Sequence, residues 1–104
     1  MSDYYKLVNK RPVPVDDVKE WAKSYSDDRH IGNDKFIVDG TEITVSTVFL
    51  ALDHNFGGTE PILFETMIFG GKHNDYQERY TTWEEADDKH WLIVNQLKAG
   101  IFEG

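Results

Sequence analysis

The sequence has no cysteine and only three prolines in 104 residues. Without cysteine there is no disulfide framework, no thiolate metal site and no cysteine nucleophile. This fits a reducing compartment. Positive charge is also scarce: 11 Lys and Arg stand against 19 Asp and Glu, a net charge of −8. The basic residues are scattered from Lys6 to Lys98. They form no run that a phosphate backbone or an anionic membrane could meet, which argues against direct nucleic-acid binding. The acids are scattered too, which speaks for solubility more than for imitation of nucleic acid. No apolar run approaches the roughly 20 residues needed to cross a bilayer. The opening stretch MSDYYKLVNK is polar and no signal-type apolar segment follows it. The expectation is a cytoplasmic protein without a membrane partner.

What is present suffices for one domain, residues 1–104. Hydrophobic residues make up 39% and aromatic residues 13%, enough for a core without metals or disulfides. Residues 4–8 alternate like a short strand. Residues 10–14 are extended, since Pro12 and Pro14 bias their predecessors away from helix. Val15, Val18, Trp21, Ala22 and Tyr25 then recur at helical spacing. Asp16 and Asp17 suit the positive end of that helix, and residues 26–28 break it. Asp39-Gly40, between two apolar runs, predicts a hairpin with a type I′ turn.

The second strand of that hairpin is expected over 41–53, and a further apolar strand over 62–69. A turn at 70–75 leads to a short edge strand at 77–80. Thr82 with Glu85 reads as a capping box. Ala86, His90, Ile93, Val94 and Leu97 form the stripe of the helix that follows, and Gly100 suits its C-terminal cap. The order β-α-β-β-β-β-α implies an α+β fold: an antiparallel sheet of four to five strands with two helices packed on one face. The other face is also apolar at its centre, which predicts a homodimer that covers it.

The residues with chemical potential cluster around the middle strands. Asp53, His54 and Asn55 end a strand and open a glycine loop. Glu65 sits inside Leu63-Phe64-Glu65-Thr66-Met67, where a carboxylate must be paired, protonated or at a ligand. Placing Leu52 opposite Leu63 sets Leu50 opposite Glu65. It puts His54 on the Glu65 face, and Asp53, Thr66 and Thr47 on the other. One reading is a polar pocket made by His54, Glu65 and His90, fit for acid–base work or ligand binding. The other is that Glu65 pairs with an arginine or hydroxyl and that Asp53 to Asn55 serve the loop. His90, on an apolar stripe, reads as a core histidine with its hydrogen bonds satisfied. Trp91 lies off that stripe, which points either to a stripe wider than these five residues or to a partner surface. Arg79 is one of the few cations available to an anionic ligand. No HxH, HExxH, phosphate-loop or serine-elbow pattern occurs, so no metal and no cofactor is expected, and no residue is assigned a catalytic role.

The stretches VSTVFLALDHNFGG, PILFETMIFGG and ERYTTWEEADDKH, with YKLVNKRPVPVDDVKEWA before them, resemble a family of small uncharacterised proteins encoded by phages and prophages. The resemblance implies a setting, the infected bacterial cell, and transfers no site residue. In that setting the expectation is stoichiometric binding: antagonism of a host defence protein, or capture of a small nucleotide-like signal. The alternatives are a small enzyme using His54 and Glu65 on such a signal, and an accessory protein of phage replication or assembly.

Overall fold

A computed structural model describes residues 4–25, 29–53 and 60–103. The chain opens with a hairpin, β1 (Tyr5–Val8) and β2 (Arg11–Pro14). Its two-residue turn places both Asn9 and Lys10 at positive φ, 51° and 68°, as a type I′ turn requires. The expected extended stretch at residues 10–14 thus includes a strand paired with β1. Asparagine tolerates this backbone but lysine gives no signal for it, so the pairing was hidden. Pro12 and Pro14 lie on β2, whose other edge has no partner among the described residues, so their missing N–H groups cost no ladder bond.

Helix α1 (Val18–Tyr25) follows. It packs on the hairpin, where Lys6 and Glu20 form an ion pair. The expectation of two helices on one sheet face is met by the second helix, while α1 rides on β1. The predicted stripe is partly used. Trp21 joins the core and its Nε1–H donates to the Ala51 carbonyl at 3.1 Å. Val15 is buried ahead of the helix, but Val18 is exposed. The side chain of Tyr25 lies outside the described set.

The main sheet is an antiparallel meander in the order β3 (His30–Val38), β4 (Thr41–Phe49), β5 (Phe64–Phe69), β6 (Gln77–Tyr80). Asp39 and Gly40 connect β3 to β4 at φ 51° and 81°, the expected turn. β4 ends at Phe49 and not near residue 53, because Ala51 takes a positive φ of 65° and stops the extended run. The pairing is Thr47 with Thr66 and Val48 with Glu65, two residues from the expected register. An even shift preserves the faces.

Helix α2 (Trp83–Ala99) lies across all four strands. The Thr82 hydroxyl accepts the Glu85 N–H at 3.1 Å. Gly100 closes the helix at φ 75°, its N–H meeting the Gln96 and Leu97 carbonyls. The predicted stripe is the buried one: Ala86, His90, Ile93, Val94 and Leu97. The core splits into two clusters under this helix. One holds Ile43, Val45, Ile68, Ile93, Val94 and Leu97. The other holds Phe49, Ala51, Leu63, Phe64, Tyr80 and Ala86, sealed by Trp21 and Trp83.

Candidate functional site

Alternation places Thr47 between Val45 and Phe49 on β4, and Thr66 between Phe64 and Ile68 on β5. Their register makes them neighbours, and Gly32 of β3 and Glu78 of β6 continue the row across the sheet. His90 descends from α2 onto this row, with 1% of its surface exposed. The two apolar clusters thus meet along a polar seam.

The seam is continuously hydrogen-bonded. His90 Nε2 lies 2.6 Å from Asp34 Oδ2, and Nδ1 lies 2.7 Å from Thr47 Oγ1. Thr47 Oγ1 lies 2.6 Å from Thr66 Oγ1. An ionised carboxylate only accepts, so Nε2 carries the proton toward Asp34. In a neutral ring Nδ1 accepts from the Thr47 hydroxyl and Thr47 then accepts from Thr66; in a protonated ring Nδ1–H donates to Thr47. Gly32 makes the room: a Cβ there would stand 2.5 Å from His90 Nε2. Next on β6, the Tyr80 hydroxyl is buried and has no hydrogen-bond partner among the described residues. Burial chiefly raises its pKa, with Thr66 acting in the opposite direction and the Glu78 carboxylate reinforcing the rise. Tyr76, whose hydroxyl donates to Glu78 Oε2 at 2.8 Å, is pushed up to about 12 by burial and by that carboxylate.

A carboxylate, an imidazole and a hydroxyl in line have the makings of a nucleophilic array. Here Thr47 and Thr66 are fully buried beneath the helix. No substrate atom reaches either hydroxyl in this packing, and the seam acts as a satisfied polar core. The sequence marked His90 on the inner stripe and put Thr47 and Thr66 on one face. It gave no sign of Asp34, which meets His90 across 56 residues of chain.

Glu65 lies on the opposite face of the sheet from His90, so the expected pocket combining the two is not formed. Glu65 is 8% exposed. Its Oε2 accepts from Gln77 Nε2 at 2.6 Å and from Arg79 Nε at 2.9 Å. Glu65 thus pairs with an arginine, the second of the two readings. Val48 and Met67 flank it on the same face, with exposed Ile37 and Phe69 farther out. Asp53 Oδ1 accepts the Ile62 N–H at 3.1 Å, which closes the base of the β4–β5 connection. His54 and Asn55 lie outside the described residues. Trp91 is 49% exposed and sets its ring edge-on to His90, with centroids 5.2 Å apart.

Among the described residues, no three His, Asp or Glu side chains converge as a metal site. No helix of the described residues is long and apolar enough to cross a membrane. Two concavities lie toward the C-terminal end of α2. A cavity of about 350 Å³ is floored by Ile43, Leu97 and Phe102, with Asp39, Lys72 and His73 at its mouth. A groove of about 510 Å³ runs between α2 and β6, lined by Tyr76, Glu78, Lys89, Leu92, Ile101 and Glu103 among others. The chain matches no protein-family model, no curated protein and no solved structure.

Proposed function

We propose that this is a small phage-encoded protein that works by stoichiometric binding, with a host protein, most simply a defence component, as its target in the bacterial cytoplasm. The observation that carries this reading is the outer surface of α2. Trp91 and Leu92 stand there side by side and about half exposed, and Ile101 is exposed nearby. A tryptophan and a leucine left in water at the middle of a helix, with an isoleucine just past its C-terminal cap, are the composition of a protein-contact surface. The burial of His90, Thr47 and Thr66 supports binding over catalysis, since the best acid–base set among the described residues is out of reach.

A protein target fits the surface better than an anionic nucleotide does. The groove presents Glu78 and Glu103, and the cavity sets Asp39 beside Lys72. A basic concavity is what capture of a nucleotide-like signal would require. A homodimer belongs to the same reading: the sheet face that carries Ile37 and Phe69 is opposite α2, and a second copy would bury it.

The test is the native mass of the purified protein, alone and after incubation with lysate of its bacterial host. A stoichiometric heterocomplex that Trp91→Ala weakens is the expected result. Turnover of a nucleotide signal by substoichiometric protein, lost in Glu65→Ala or His54→Ala, would replace this reading with the enzyme one. Ile37→Asp is expected to convert a homodimer to monomer without changing the fold.

A further inference from the structure

The geometry points to the free edge of β6, with the groove beside it, as a docking site for an extended, basic segment of a partner protein that adds as a fifth strand. The proposal rests on the binding function above and names the surface and the chemistry of its occupant.

Three features meet at this edge. First, β6 pairs only with β5 among the described residues. Ile68 N–H donates to the Tyr76 carbonyl at 3.0 Å, so that carbonyl faces β5, while the Tyr76 N–H turns back to the His73 carbonyl at 3.0 Å. By the alternation of an antiparallel ladder, the backbone groups of Gln77 and Arg79, the next odd positions, face outward. Second, the space beyond that edge is concave on the α2 side. Lys89, Leu92 and Gln96 overhang it from the helix, Ile101 and Phe102 close it, and Tyr76 and Glu78 form its floor. Alternate side chains of an added strand would project into this groove, which is how strand addition gains specificity. Leu92 at 47% and Ile101 at 64% exposure supply apolar contacts at its lips.

Third, the groove is acidic. Its carboxylates are Glu78 and Glu103, and its one lysine, Lys89, is 3.8 Å from Glu78. Asp88, Glu85 and Glu84 continue the negative charge along α2. Charge complementarity therefore selects lysine or arginine between the apolar residues of the guest. The other free edge, β3, is longer but guarded. It carries a register irregularity between His30 and Gly32, a lysine at position 35, and Asp34 turned inward to His90.

The test is fluorescence anisotropy with a labelled heptapeptide of alternating lysine and isoleucine. Two control peptides accompany it, one with glutamate for lysine and one N-methylated at alternate backbone nitrogens. Saturable one-to-one binding of the first peptide alone is expected. Leu92→Lys should weaken it at least tenfold, as should Gln77→Pro, while Val18→Lys, at an exposed position of α1, leaves it unchanged. Equal binding of the N-methylated peptide, no saturable binding, or indifference to Leu92→Lys would overturn the site. Leu92 is exposed, so its replacement tests the groove without threatening the fold. The outcome separates from that of the binding function. A lysate complex that survives both substitutions keeps the function and rejects this edge. Peptide binding without any lysate complex keeps the edge and rejects the host-protein reading.

Discussion

Each face of the sheet holds an ionisable side chain near its centre, and the two faces hold theirs differently. Under α2, His90 has a partner at each ring nitrogen, and those partners are rooted in β3 and β4. On the opposite face, Glu65 is held at one oxygen by two residues of the neighbouring edge strand, and Arg79 is 42% exposed in its side chain. The first arrangement is buried at His90 and both threonines, meets water only at Asp34, whose side chain is 35% exposed, and ties four elements together. The second is open on one side and engages two strands. A buried polar group supports a fold when its partners are buried with it. A group at the margin of water keeps an alternative partner in the solvent and contributes less.

The difference predicts an order of effects. His90→Ala should cost about 3 kcal/mol in urea denaturation, since it opens a cavity and takes one hydrogen-bond partner from Thr47 and one from Asp34. Glu65→Gln should cost about 1 kcal/mol or less, because the amide keeps one acceptor and Arg79 can turn to water. Equal losses would break the comparison.

Gly32→Ala comes between them, at about 2 kcal/mol, through collision of the new methyl with the His90 ring. The sharper measurement is the double mutant. With His90→Ala already present the collision is gone, so the Gly32→Ala cost should shrink to a few tenths. A fully additive pair would mean that the glycine serves β3 alone.

The smallest effect is alkaline. The Tyr76 pKa is raised from 10.0 to about 12, so the folded state favours the neutral phenol. Above pH 10 the unfolded chain sheds that proton first, and stability falls between about pH 10 and 12, having been flat below. Tyr76→Phe should flatten that decline in a pH series of thermal melts. An unchanged slope would remove Tyr76 from the account.

Much of this contrast is legible in the sequence alone. Helix α2 was readable from Thr82 to Gly100 because its caps and its stripe agree. The Asp39-Gly40 hairpin was readable because few dipeptides favour that turn. Even a register wrong by two residues placed Thr47 and Thr66 together, since strand faces depend only on parity. Grouping Glu65 with His90 failed for a related reason. Alternation assigns faces within a sheet but does not say which face a distant helix covers. The pairing of β2 was concealed by a turn that Lys10 does not advertise. The Asp34–His90 contact was concealed because no local pattern joins residues 56 positions apart.

The seam also acts as an alignment key. Hydrophobic packing alone leaves a helix free to slide, because Ala86, Ile93, Val94 and Leu97 would bury comparable area one turn along. A slide of one turn, about 5.4 Å, would put Ala86 or Val94 over the two threonines. It would also press His90 into an apolar cluster with neither nitrogen satisfied. The penalty for each unpaired buried group makes the shifted arrangements unfavourable. One histidine above two hydroxyls therefore gives a helix on an oily surface a single longitudinal position, and Trp91, Leu92 and the groove that Leu92 lines inherit that position.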